Sequence, residues 1–389
     1  MVVLGIVTFR RQTNRSRPAK FFYALWRHHS TLRSQQAEKP DDHQLDKLRN
    51  QVRDFVCREI TDNNTATIEK TYTFRRQLWN KLGRSGLLGV AADKELGGLG
   101  MGYQGHCIAM EEISRASASI GLCFAAHSQF CVNHIQLNGS QKQKEKYLPR
   151  LISGTSIGAL AVSEPQAADD LVNMRTRARA VDGGYLLDGS KAWVTNGRDA
   201  DTIVVYAKTG PCGISGGITA FLVETDSRGF SCLRREHSTG SSTSALFSSV
   251  FVPCENVLGR VNRGLEILVK GITLGRLVLS SGPLGIMQAV LDMALPLMHT
   301  RNPFNMPTAR SEFVEGLVAG IYTKLQTSRA YTHSTAKEVD TNGPSCPQDC
   351  TGAFSHSTAS LAKCTLDAVE LVGEIGCSGN IHSSRLLRE

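Results

Sequence analysis

The sequence predicts an α+β fold in which a small antiparallel β domain is set between an N-terminal all-α domain and a C-terminal α-helical bundle. Three observations predict it. Apolar residues recur at helical spacing from about Asp42 to Leu151. Around Gly158 that period gives way to short β-branched and aromatic runs separated by Gly, Pro and Ser. After Gly259 long helical patterns return. The expected boundaries are a leader over 1–40, a helical domain over 41–156, a β domain over 157–257 and a second helical domain over 258–389.

In the first helical region, Ile108, Met110, Ile113 and Ala116 line one face of a helix while Glu111, Glu112 and Arg115 take the wet side. Phe74 to Leu88 and Gln129 to Leu137 carry the same pattern. The strands are expected at Tyr185 to Leu187, Thr202 to Lys208, Ile218 to Glu224 and Ala245 to Val252. The last domain is expected as four helices: Leu265 to Ser281, Met287 to His299, Glu312 to Val339 and Ser355 to Gly373.

Charge narrows the function classes. The formal charge is +9, yet Arg10, Arg11, Arg15, Arg17, Lys20, Arg27 and Arg33 all precede the first acidic residue, Glu38. Without those seven, 37 basic side chains face 35 acidic ones, so the body is nearly neutral and no nucleic-acid partner is expected. An acid-free, Arg-rich leader with Ser and Thr has the composition of a mitochondrial transit peptide, which places the chain in the mitochondrial matrix. No run of 18 or more apolar residues occurs, so no membrane span is expected. The 11 cysteines are scattered, several in apolar context, as buried thiols of a reducing compartment are. Cys346 and Cys350 lack a second ligand pair, so no metal site is expected.

The segment Ala161-Val-Ser-Glu-Pro-Gln-Ala-Ala-Asp-Asp170 leaves an expected strand as a tight polar turn, and Gly189-Ser-Lys-Ala-Trp-Val-Thr-Asn-Gly197 follows some 20 residues later. Together these resemble the two signatures of the acyl-CoA dehydrogenase family. Met110 to Ser117, Gln143 to Gly154 and Gly282 to Asp292 are similar to its isovaleryl-CoA members. The resemblance covers roughly Leu45 to Leu387.

The resemblance implies α,β-dehydrogenation of a short branched acyl-CoA in leucine breakdown, FAD as cofactor, electron transfer flavoprotein as electron acceptor and a homotetramer. It implies that Ala161, Val162, Ser163, Glu164, Pro165, Ala167 and Ala168 run along the flavin. Trp193 would shield the ring, with Val194 beside it and Thr195 near N5. Arg301 would meet the pyrophosphate and Gly379 would give close approach. Asp169, Leu274, Gly275 and Arg276 would face the acyl-CoA.

The pattern also breaks. In the isovaleryl-CoA type the base is a Glu within Leu-Glu-Arg-Leu-Val-Leu, and here Leu274-Gly-Arg-Leu-Val-Leu279 puts Gly275 in its place. Glycine accepts no proton. Other members carry the Glu beyond a motif matched by Leu386-Leu-Arg-Glu389, where the sequence ends, so a truncated C-terminal domain is expected. Asp169 replaces a neutral hydroxyl, and Arg301-Asn-Pro-Phe-Asn305 and Ile375 to Ile381 each lose a glycine of the family pattern. Glu266 and Glu315 are the nearest acidic alternatives. The alternative to an active dehydrogenase is a non-catalytic paralogue that keeps the fold and weak FAD or acyl-CoA binding. Helix propensity alone suggests that a Glu at position 275 would be tolerated.

Overall fold

The computed structural model describes residues 40–60, 76–166, 170–213, 216–234, 242–300, 312–343 and 346–373. Residues 1–39 of the expected leader lie outside them. Helix α1 (Asp42–Glu59) opens on a reciprocal cap, in which the Gln44 amide donates to Asp41 at 2.7 Å and the Asp41 amide donates to Gln44 Oε1 at 3.0 Å. Helices α2 (Arg76–Arg84), α3 (Gly102–Ala116) and α4 (Ala118–His127) follow. A π-helical turn over Ser128–Val132 then leads into α5 (Asn133–Asn138) and α6 (Gln141–Ile152). The cap of α6 repeats the device of α1 with Ser140 and Gln143. The spare Gln143 amide protons reach the carbonyls of Glu255 at 2.7 Å and Val257 at 2.9 Å, tying this helix to the β domain.

The β domain holds β1 (Gly158–Ala161), β2 (Arg177–Val181), β3 (Gly184–Thr195), β4 (Thr202–Gly213), β5 (Gly216–Glu224), β6 (Phe230–Arg234), β7 (Ser242–Pro253) and β8 (Val257–Leu258). They form one sheet in the order β6-β7-β3-β2-β4-β5-β8, with β1 alongside β4. Five pairings are antiparallel, as expected; β1 and β2 run parallel to β4. Parallel entry of β1 is what delivers the chain leaving Ala161 to the middle of the sheet.

Helices α7 (Gly264–Thr300), α8 (Glu312–Asn342) and α9 (Pro347–Val372) complete the fold. The two helices expected over 265–299 are a single 37-residue helix that continues through Pro283 and Pro296. Burial outweighs the loss of about 3 kcal/mol that an internal proline brings. Over Gly264–Pro296 this helix is long and apolar enough to cross a membrane, but 83% of its most apolar window is buried inside the protein. It is apolar all round because protein surrounds it. Close packing with α3 depends on Gly285, where a Cβ would collide with the Glu111 carbonyl oxygen.

Glu111 and Glu112, expected on the wet side of α3, are instead buried, because basic side chains of α1 and α8 pair with them, and the two carboxylates gather the helical layers. Glu111 accepts from Arg329 Nη2 of α8 at 2.7 Å and Glu112 accepts from Arg49 Nη1 of α1 at 2.6 Å. Burial alone would raise the Glu111 carboxyl, but His333, Arg49 and Arg329 prevail and hold it at about 2. Cys107, Cys123 and Cys131 are buried free thiols, as the sequence suggests.

Candidate active site

The two signature segments meet through one lysine. Lys191, on β3, is wholly buried and donates from Nζ to the Val162 carbonyl at 2.8 Å and to Glu164 Oε1 at 3.0 Å. The next residue, Ala192, donates its amide to the Ser163 carbonyl at 2.9 Å. The Glu164 carboxylate also accepts the amides of Arg175 at 2.5 Å and Thr176 at 2.9 Å. Burial pushes the Lys191 ammonium down to about 8, against the pull of Glu164. Burial also works against the Glu164 charge, but Lys191 and the Thr176 and Arg175 donors outweigh it and hold the carboxyl below its usual value. The side chain expected to run along a flavin at 164 is therefore committed to the fold.

The strand around Lys191 is irregular for a reason that concerns Trp193. The β3–β7 register shifts between Lys191 and Val194, and Trp193 sits in the bulge with φ +56°. A bulky residue in the left-handed region is a conformational outlier that its surroundings must hold. Ala192 and Val194 on either side are buried, while Trp193 is only half-buried. Val194 and Ala161 point their side chains into the sheet core, so only their backbones remain for a ligand. Thr195 is paired with Ser242 of β7 and is nearly buried. Asn196 donates to the Cys123 carbonyl at 2.8 Å, fixing the end of the second signature to α4. Trp193 thus lies outside the ladder next to Ala192, whose amide meets the chain just past β1, and its half-buried ring is a candidate surface for the flat face of a flavin.

Residues 274 to 276 on α7 point in three directions, because successive helical side chains lie about 100° apart. Leu274 packs in the cluster that contains Cys107 and Cys350. Arg276 donates from Nη1 to Thr351 Oγ1 of α9 at 2.9 Å, and burial lowers its guanidinium. Gly275 faces the π-helical turn, where a Cβ would run into Cε1 and Cζ of Phe130. Helix propensity favours Glu at 275, but in this packing any side chain there requires the Phe130 ring to shift. One turn earlier, a Cβ on Gly271 would collide with the His134 imidazole. His134 is buried, which pushes it down to about 4, and its Nε2 has no partner among the described residues. Glu266 pairs with Arg263 at 2.5 Å at the head of α7, and Glu315 is exposed on α8.

Pro165 is exposed at the turn after Glu164. Ala167, Ala168, Asp169, Arg301 and Gly379 lie outside the described residues. The neighbouring Asp170 caps a short turn, accepting the Asn173 amide at 3.2 Å. Sequence reading assigned no role to Lys191, Phe130 or His134. Lys191 gave one signal, a lone cation at an inward position of an otherwise apolar strand face; Phe130 and His134, four apart, gave only the pattern of ordinary core.

The comparisons follow the same division. Three family models match in succession: the N-terminal domain of acyl-CoA dehydrogenase over residues 42–155, the middle domain over 159–252 and the C-terminal domain over 262–389. Mitochondrial isovaleryl-CoA dehydrogenase of Arabidopsis thaliana is 45% identical over 358 residues, covering 90% of this chain and 86% of that protein. The protein of that name from Pongo abelii is 39% identical, with 96% and 90% covered. A mitochondrial 2-methylacyl-CoA dehydrogenase of Solanum tuberosum is 41% identical, with 94% and 91% covered. Among solved structures, butyryl-CoA dehydrogenase from Megasphaera elsdenii superposes with a TM-score of 0.85 at 26% identity, covering 90% of this chain and 93% of that one. With a helical region on each side of a central sheet, two signatures joined at Lys191 and matches to all three family models, this chain belongs to the acyl-CoA dehydrogenase family and resembles its isovaleryl-CoA members.

Proposed function

We propose that this protein is an FAD-dependent dehydrogenase of short branched acyl-CoA thioesters, of the isovaleryl type, in the mitochondrial matrix. The observation that carries this reading is the uninterrupted match of all three family domains, together with relatives 39 to 45% identical that are named for branched substrates. Bound FAD would supply the redox chemistry by taking a hydride from the acyl β-carbon. The chain's own part is placement: the backbone at Ser163 and the half-buried Trp193 ring would hold the flavin, Thr195 would orient its edge, Arg301 would meet its pyrophosphate and Gly379 would give close approach. Electrons would leave to electron transfer flavoprotein, and the assembly would be a homotetramer.

Removal of the α-proton needs an acceptor, and Gly275 offers none. This one observation favours a second reading, a paralogue that keeps the fold and ligand binding without turnover; the relatives favour the first. The visible absorption spectrum of the purified protein, before and after anaerobic addition of isovaleryl-CoA, separates them. A flavin spectrum that bleaches supports the dehydrogenase. A flavin spectrum perturbed without bleaching supports the paralogue, and a colourless protein that takes up no added FAD refutes both. A reporter fused to residues 1–40 tests the location, with cytosolic retention as the refuting result.

A further inference from the structure

Phe130 stands where a side chain at residue 275 would project. Its Cε1 and Cζ lie in the space of a Cβ on Gly275, while Cδ1 is 3.5 Å from that point, an ordinary contact. The arrangement repeats one turn away, where His134 fills the notch at Gly271. Residues 130 and 134 are four apart, as are 271 and 275, so two rings seat in two glycine notches along one line of contact. Both rings are almost fully buried, so neither swings into solvent. The π-helical turn that aims Phe130 is itself held, since Ser128 Oγ donates to the Phe124 carbonyl at 2.8 Å and the Asn133 amide donates to the Ser128 carbonyl.

We infer that Phe130, and not Gly275 alone, decides whether a proton acceptor can work from α7 in this chain. The inference rests on the proposed reading of Gly275 as the position of the base. A glutamate introduced there meets an aromatic edge in place of a cavity. It must displace a packed ring, and its carboxylate is then desolvated against that ring. Phe130 is thus a positioning residue that makes the site apolar at the point of proton removal. Leucine at 130 ends at the δ carbons, so it removes the two colliding atoms and leaves the ordinary contact.

The test is a four-way comparison of the full chain: native, Phe130→Leu, Gly275→Glu and the double variant, each supplied with FAD. Thermal melting and anaerobic bleaching of the flavin by isovaleryl-CoA are both measured. Gly275→Glu alone is expected to melt at least about 3 °C below the native chain and to bleach no faster than it. The double variant is expected to be more stable than the two single changes together imply, and to bleach at least about 100-fold faster than the native chain. Its bleaching rate should rise with pH as the new carboxyl ionises, a response that packing alone does not produce.

A Gly275→Glu chain that is as stable as native and bleaches faster than native overturns the inference. Additive stabilities overturn it too, as does a double variant that regains stability without bleaching faster than the native chain. If Gly275→Glu is insoluble, folding of the double variant supports the inference and its insolubility refutes it. If no variant takes up FAD or binds isovaleryl-CoA in equilibrium dialysis, the dehydrogenase reading fails, and non-additive melting still decides whether Phe130 and Gly275 are coupled.

Discussion

The Lys191 ammonium lies 3.0 Å from a Glu164 carboxylate oxygen, with the lysine side chain 0% and the glutamate side chain 2% exposed. Two charges that water cannot reach must satisfy each other. Each also has further partners, the Val162 carbonyl for the lysine and the Arg175 and Thr176 amides for the glutamate. Breaking such a pair from one side leaves an uncompensated buried charge. Lys191→Met is therefore expected to cost about 3–5 kcal/mol in urea unfolding. Adding Glu164→Gln should recover part of that loss, and a double variant no more stable than Lys191→Met would show that the pair is not coupled.

The same lysine gives a pH signature. Its folded value, about 8, is below the ordinary 10.5, so between those limits the unfolded chain binds more protons than the folded one. Stability contributed at this site therefore rises as pH increases from about 8 toward 10.5, as the buried charge is released. Other buried groups titrate in this range, so the readout is the stability of the native chain minus that of Lys191→Met. That difference should climb through the window; a flat difference refutes the shift.

Glu111 predicts the behaviour in acid. Its carboxyl is held at about 2 against an ordinary 4.5, so its contribution is full above 4.5 and is lost as pH falls toward 2. The shift corresponds to roughly 3 kcal/mol. Glu111→Gln should weaken the chain at pH 7 and flatten its decline between pH 5 and 2. An unchanged acid profile would place the acid sensitivity elsewhere.

Trp193 predicts the cofactor's response. If its ring covers the flavin, Trp193→Ala should weaken FAD binding by roughly threefold to tenfold, and Trp193→Phe should keep most of it. Fluorescence titration of the flavin-free chain measures both. Equal FAD affinity in the alanine variant would move the flavin away from the bulge.

Hydrophobic period by itself determined the helix, sheet, helix order, because amphipathic spacing reports which face of each element is buried. It also marked Ala161 to Asp170 and Gly189 to Gly197 as one family's signatures. It split α7 at Pro283, since local propensity disfavours proline in a helix; only packing on every side could keep that helix whole. What the signatures contact was likewise not legible. Glu164 reads as ligand-facing until Lys191 is brought to it from 27 residues away, and Trp193 leaves the ladder only because β3 and β7 slip in register. The identity of residue 275 was plain from the sequence, but its consequence was not. Whether a glutamate would fit there depends on the Phe130 ring, 145 residues earlier, which only the packing of α7 against the π-helical turn brings into contact. Local sequence sets propensity, whereas steric exclusion between distant segments exists only once the chain has folded.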